Sequence, residues 1–174
     1  MDNLGMGVKS KGRAESETIT TELVLPNDAN VIGNLLGGRL LHWIDIAGAL
    51  AAMRHTESTV ATLTMDRVEF KHPIKVGNIV ILKSYVTWTG TTTVETAVEV
   101  CSENPLTKER QFIHMGYIVF IALDKDGAKT PVIPYSPKTP AEIAEFNEGA
   151  ARKAKRIELS SHCRVSKTMS ISCD

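Results

Sequence analysis

One long apolar run near the middle of the first half dominates the hydrophobic pattern of this chain. Residues 39–54 predict a helix whose side chains are apolar on nearly every face. Such a helix belongs inside a structure, because a surface helix keeps a polar stripe toward water. A segment dense in turn-forming residues, 27–34, and the pair Gly37 and Gly38 precede it, so we expect the helix to follow a loop.

Most of the remaining chain is rich in Val, Ile, Thr and aromatic residues, which is typical of strands. The predicted strands cover residues 18–25, 59–70, 78–88, 93–103 and 111–123, and a surface helix is predicted over 141–159. Their order indicates an α+β domain in which one antiparallel sheet wraps around the apolar helix. Since one sheet cannot cover that helix on all sides, we also expect a second subunit.

These elements divide the chain into three predicted parts. They are a flexible polar lead at 1–17, one globular domain at 18–137, and a C-terminal helix with a basic, disordered tail at 138–174. A total of 174 residues suits a single domain. We interpret the basic residues of the last part as a solvated helix end, with phosphate binding as the alternative. They are Arg152, Lys153, Lys155, Arg156, Arg164 and Lys167.

Charge and composition exclude several classes of protein. The 20 Lys and Arg residues balance 20 Asp and Glu residues, so the chain lacks the cation surplus of a nucleic-acid binder. No apolar run reaches the roughly 20 residues that span a bilayer. The polar start shows no secretory signal. We therefore expect a cytoplasmic protein that binds neither nucleic acid nor membranes.

Asp45 is the candidate for chemistry inside the apolar helix. A carboxylate there costs free energy unless it is paired or protonated, so it has either a functional role or a structural hydrogen bond. Gly38, Leu41 and Asp45 share one helix face. The helix start at Gly37 and Gly38 has free N–H groups that favour an anionic oxygen. Together these groups suit attack on a carbonyl whose oxygen becomes negative.

Two further polar residues lie near this carboxylate in the sequence. Asn30, in the loop before the helix, has an amide that can donate to a carbonyl oxygen, hold a water or cap the loop. His42, one helical turn before Asp45, either forms a dyad with it or lies on the rim of the site. No His or Cys residue shows the spacing of a metal site, so no metal is expected.

The spacing of these residues resembles that of the hotdog-fold acyl-CoA thioesterases, most closely the small bacterial and brain-type acyl-CoA hydrolases. The resemblance covers roughly residues 18–134. Further similar segments are 68–74 with Gly77, 90–100 and 120–124. The main motif consists of Leu25, Pro26, Asp28, Asn30, Gly33, Gly37 and Gly38, with Asp45 seven residues later.

The resemblance implies a hotdog fold, in which a five-stranded antiparallel sheet wraps around a long helix. It implies dimers, assembled as a trimer of dimers, that hydrolyse acyl-CoA to free acid and CoA with no other cofactor. It assigns Asp45 to catalysis, as general base or nucleophile, with Asn30 as its partner across the dimer interface. Gly37 and Gly38 correspond to the turn that stabilises the oxyanion.

Two positions depart from the family pattern. Leu36 stands where an aromatic residue is common, and Thr91 stands where many relatives carry an arginine. A non-catalytic sensor that binds acyl-CoA is the alternative function, since related hotdog domains can serve that way. A hotdog hydratase, which needs a His-Asp arrangement such as His42 with Asp45, is a third. The candidate CoA-binding residues are Gly90, Thr91, Thr92, Thr93, Arg54 and Lys71.

Overall fold

The computed structural model describes residues 9–66, 68–69 and 72–165. Within these residues the chain forms one sheet, two long helices and two short 3-10 turns at Arg13–Glu15 and Pro26–Asp28. The strands and long helices, in chain order, are β1 (Thr18–Leu23), α1 (Gly37–Thr56), β2 (Thr59–Met65), β3 (Ile79–Thr89), β4 (Thr93–Glu103), β5 (Arg110–Leu123) and α2 (Pro140–Val165).

The sheet has the strand order β1-β3-β4-β5-β2, and every neighbouring pair is antiparallel. This confirms the predicted α+β hotdog architecture. Strand β4 has the predicted bounds, whereas β2 is shorter than predicted and ends at Met65. Because β2 is the last strand in the order, it is hydrogen-bonded on one side only within the chain.

Helix α1 packs against the concave face of the sheet through small and aliphatic residues. Ile44 and Ala47 are fully buried, and the hydroxyl of Ser84 on β3 donates to the carbonyl oxygen of Ala47 at 2.6 Å. On the opposite face of the helix, Ile46 and Met53 remain 43% and 38% exposed. The single sheet therefore leaves one apolar side of α1 uncovered, as the sequence pattern indicates.

Helix α2 packs against the other face of the sheet. A Cβ atom added at Gly149 would lie 2.7 Å from the Cβ of Trp88, so the glycine permits a close approach. Arg152 and Arg156 of α2 both bond the carboxylate of Glu95, which is fully buried on β4. The interpretation of these two arginines as part of a solvated helix end is therefore wrong, because both enter an ion-pair network. Lys167 lies outside the described residues.

Residues 9–17, which the sequence assigned to a flexible lead, contact the domain. Lys11 donates to the carbonyl oxygen of Arg54 at the end of α1, over 2.7 Å. The hydroxyl oxygen of Ser16, which is fully buried, accepts from the N–H of Val86 at 3.1 Å. Across the described part of the chain, no helix combines the length and apolar character that crossing a membrane requires.

Candidate active site

The loop before α1 is held over the start of that helix by Asp28. This carboxylate is buried, accepts from the N–H of Leu25 at 3.1 Å and pairs with Arg39 at 2.7 Å. The backbone carbonyl oxygen of Asp28 accepts from the N–H of Leu36 at 2.9 Å. The loop and the first turn of α1 are thereby fixed as one unit.

Asn30 caps this loop with its side-chain oxygen. Its Oδ1 accepts from the N–H groups of Ile32 and Asn34, each at 3.1 Å, and Gly33 completes the turn at φ +78°. The capping interpretation of Asn30 is therefore correct for its oxygen. Its Nδ2 bonds no acceptor among the described residues, so two N–H donors remain available at a position that the loop holds rigid.

At the start of α1, two backbone N–H groups have no partner among the described residues. The N–H groups of Arg39 and Leu40 both donate to the carbonyl oxygen of Leu36, at 3.0 and 3.1 Å. Those of Gly37 and Gly38 have no acceptor within the described residues, as expected for the first turn of a helix. A Cβ atom added at Gly38 would meet nothing within 4 Å, so the backbone there is open to a ligand.

The loop and the helix start border one cavity of about 300 Å³. Asn30 and Gly37 line it on one side, and His72 and Ile74 line it on the other. The N–H of Leu35 donates to the carbonyl oxygen of Ile74 at 2.7 Å, which keeps the two sides together. The structure therefore brings the predicted asparagine and the predicted oxyanion turn to a single recess.

Asp45 lies elsewhere, two turns further along α1. Its eight-residue separation from Gly37 corresponds to about 12 Å along the helix axis, and it does not line the cavity. The carboxylate is half-buried, at the border between fully buried Ile44 and exposed Ile46. The expectation of a carboxylate within the interior is thus corrected, since Asp45 borders the uncovered side of α1.

Thr62 on β2 is the residue that bonds this carboxylate. Its hydroxyl donates to Oδ1 of Asp45 at 2.7 Å. Thr62 does not stand out in the sequence, because a threonine in a strand is common and only the pairing of β2 with β5 aims it at α1. His42 is exposed, and among the described residues it is Thr62 that bonds the Asp45 carboxylate.

The candidate CoA-binding residues occupy separate places. Residues 90–93 form the turn between β3 and β4, where the N–H of Gly90 donates to the carbonyl oxygen of Thr93 at 2.8 Å. Thr93 on β4 pairs with Ile121 on β5, and Ile121 pairs with Ala61 on β2. The turn therefore lies two strand spacings, about 10 Å, from the part of β2 that contains Thr62.

Of the two cationic candidates, only Arg54 lies among the described residues. The guanidinium of Arg54 donates to the carbonyl oxygen of Glu17 at 2.9 Å, at the far end of α1. Lys71 lies outside the described residues. Over the described ranges, no group of three or more His, Cys, Asp or Glu side chains is placed to hold a metal ion.

Comparison with known proteins identifies close relatives of this chain. The model of the thioesterase superfamily matches residues 32–109. A Bacillus subtilis protein named as an uncharacterised acyl-CoA thioester hydrolase is 36% identical over 151 residues, covering 87% of this chain and 88% of that protein. A solved structure of an apo-hexameric acyl-CoA thioesterase is 38% identical with a TM-score of 0.83, covering 88% of this chain and 98% of the other.

A Staphylococcus aureus acyl-CoA hydrolase, solved with butyryl-CoA, CoA and CoA disulfide, is also similar. It is 29% identical with a TM-score of 0.79, covering 90% of this chain and 98% of the other. Three variants of that enzyme, each with one residue replaced by alanine, also have solved structures. The replaced residues are an asparagine, an aspartate fifteen residues after it, and a threonine seventeen residues after the aspartate. Asn30, Asp45 and Thr62 have the same residue types and the same spacings.

Proposed function

The chain belongs to the thioesterase superfamily, and from that premise we propose that it hydrolyses acyl-CoA thioesters to a free carboxylic acid and CoA. One observation carries this proposal. Asp45 presents a carboxylate at the uncovered side of α1, with Oδ1 held by the Thr62 hydroxyl at 2.7 Å. The named activities of the relatives, and the shared spacing of three polar residues, support it.

The proposed chemistry assigns the second oxygen of this carboxylate to proton transfer. Because Thr62 occupies Oδ1, the Oδ2 atom is free to take a proton from water as that water attacks the thioester carbonyl carbon. The carbon–sulfur bond then breaks, and the sulfur leaves as CoA with a proton. A direct attack by the carboxylate is the other form of this role, and a single turnover in labelled water distinguishes the two by where the label appears.

The oxyanion is assigned to the recess beside Asn30. The free N–H groups of Gly37 and Gly38 and the Nδ2 of Asn30 offer donors to an oxygen that becomes negative. Within one chain this recess is about 12 Å along the helix from Asp45. We therefore assign the complete site to two subunits, with the recess of one chain facing Asp45 of another.

The uncovered side of α1 supports this dimer. Ile46, next to Asp45, and Met53, about two helical turns further on, both expose apolar surface. A partner helix would remove that surface from water. The hexameric form of a similar thioesterase supports a trimer of such dimers.

The turn at 90–93 is assigned to the CoA phosphates. The N–H groups of Thr91 and Thr92 have no acceptor among the described residues, and Thr91 is exposed. Backbone donors of this kind bind phosphate without a cationic side chain. Arg54 and Lys71 remain proposed sources of additional charge.

The test is turnover measured by release of free thiol from a panel of acyl-CoAs of increasing chain length. We expect release above background, and we expect Asp45→Asn to lower kcat at least about a hundredfold while CoA binding persists. Asp126→Asn, at the exposed turn after β5, is the matched control and should turn over normally. Near-normal turnover by Asp45→Asn contradicts the assigned role, and binding without any release indicates the sensor.

A further inference from the structure

A network of charged side chains lies between α2 and the outer face of the sheet. Glu95 of β4 is fully buried there and accepts from Arg152 at 2.8 Å and from the hydroxyl of Thr87 at 2.9 Å. Arg156 also bonds Glu95. A buried carboxylate with this many donors is compensated, so the second arginine is not needed merely to neutralise it.

Arg156 makes a second contact that Arg152 does not make. Its Nε and one terminal nitrogen donate to the two carboxylate oxygens of Asp66, at 2.8 and 2.9 Å. This two-bond fork restricts direction as well as distance. Burial disfavours the charged form of Arg156, but the hydrogen bonds to Asp66 and Glu95 outweigh that effect and raise its pKa.

Asp66 is the residue at which β2 leaves the sheet. It follows Met65, the last residue of β2, and its N–H donates to the carbonyl oxygen of Tyr117 on β5 at 2.9 Å. Arg156 therefore connects α2 directly to the end of the edge strand. Within the described part of the chain, no other ion pair joins a long helix to β2 or to the residue that follows it.

The register of β2 is the property that such a connection controls. Among the described residues β2 pairs with β5 alone, and a bulge interrupts the pairing between Thr62 and Thr64. No side chain of β2 is fully buried, so packing specifies its register only weakly, and a slip of one residue turns every side chain to the other face. Such a slip would turn Thr62 away from α1 and bring Leu63 toward Asp45.

We propose that Asp66 and Arg156 are a positioning pair that holds the register of β2, so that Thr62 is delivered to Asp45. This inference rests on the function proposed above for Asp45. Neither residue touches substrate in this role. Their contribution to turnover passes through the Thr62 hydroxyl.

The first experiment compares Asp66→Ala with a matched variant at the other end of α2. Asp66→Ala leaves Arg156 bonded to Glu95, and we expect kcat to fall about tenfold with KM within about twofold, because a small displacement of a catalytic group lowers turnover more than binding. Asp66→Asn keeps an acceptor for one of the two bonds and should give an intermediate kcat. Glu145→Ala removes the ion pair of α2 with Arg13, which does not reach β2, and should leave kcat unchanged.

The second experiment tests whether Asp66 acts through Thr62. In a Thr62→Val background, Asp66→Ala should lower kcat no further, because the hydroxyl that it positions is already absent. Hydrogen exchange at the amides of β2 should be faster in Asp66→Ala and unchanged in β3 and β4. Additive losses of kcat, or unchanged exchange in β2, overturn the inference. The exchange result does not depend on activity, so it stands apart from a failure of the wild-type protein to cleave acyl-CoA.

Discussion

The orientation of the Asp45 carboxylate depends on a single residue of another element, Thr62 on β2. The Thr62 hydroxyl fixes one carboxylate oxygen at 2.7 Å, and no donor among the described residues bonds the other, so the side chain has a defined orientation at the border of the interior. The sequence pattern suggested that Asp45 is fully buried. Because it is only half-buried, it avoids the full free-energy cost of burying a charge.

The hydroxyl and the shape of Thr62 can be separated by two substitutions. Thr62→Val keeps the branched shape but removes the donor, and a hydrogen bond to a charged group contributes about 1.5–3 kcal/mol. We expect kcat to fall about ten- to a hundredfold in Thr62→Val. Thr62→Ser keeps the hydroxyl and should stay within a few-fold of the wild type. Equal losses in the two variants would show that the methyl group, and not the hydrogen bond, matters.

At the scale of elements, α1 is placed by the small residues of its inner face. Gly48 lies against β4 and β5, where an added Cβ would come within 2.9 Å of Thr96 Oγ1 and 3.0 Å of Ile118 Cδ1. Those neighbours are themselves fully buried and have little room to move. The distance between α1 and the sheet is therefore set at this position.

Two glycine-to-alanine substitutions on α1 should change stability in opposite directions. Gly48→Ala gains about 1 kcal/mol of helix propensity but incurs an overpacking cost of about 1–3 kcal/mol, so we expect net destabilisation. Gly38→Ala, on the same helix with open space around it, should stabilise the protein by about 0.5–1 kcal/mol. Midpoints of urea unfolding compare the two. A Gly48→Ala protein as stable as the wild type would mean that the sheet yields at this contact.

At the scale of the whole molecule, the net charge is zero although the proposed substrate is an anion. A global field therefore does not attract CoA, and local donors must meet its phosphates. Within one chain the two halves of the proposed site are apart, since Asn30 and Gly37 share a cavity from which Asp45 is absent. A monomer of this shape does not bring the three groups together.

Subunit mixing tests whether two chains complete one site. Asp45→Asn retains the recess and Asn30→Ala retains the carboxylate, so a mixed dimer carries one intact site of two. After random exchange, half of the dimers are mixed, and we expect about a quarter of the wild-type kcat. Each variant refolded alone serves as the control. A mixture no more active than its two parents would place Asn30 and Asp45 in the same subunit's site.

Local patterns predicted much of the fold. The bounds of β4 follow from its alternation, and the position of α1 follows from its apolar run, although α1 begins at Gly37 and ends at Thr56. The end of β2 at Met65 could not be read this way, because the sequence of residues 66–70 retains a strand-like composition. The predicted exposure of Arg152 and Arg156 is wrong because their buried partner, Glu95, lies about 60 residues away in the chain. Local sequence does not show such a partner.

The amino-acid sequence alone predicts the α+β class, the apolar helix and the unusual carboxylate within it. It also predicts the loop asparagine and the glycine pair, because each of these features depends on neighbours within a few residues. Three contacts become visible only once the chain is folded: Thr62 bonds Asp45, Asp66 is joined to α2, and Asn30 lines a recess that Asp45 does not line. These contacts depend on strand register and helix docking, which join residues that are distant in the chain.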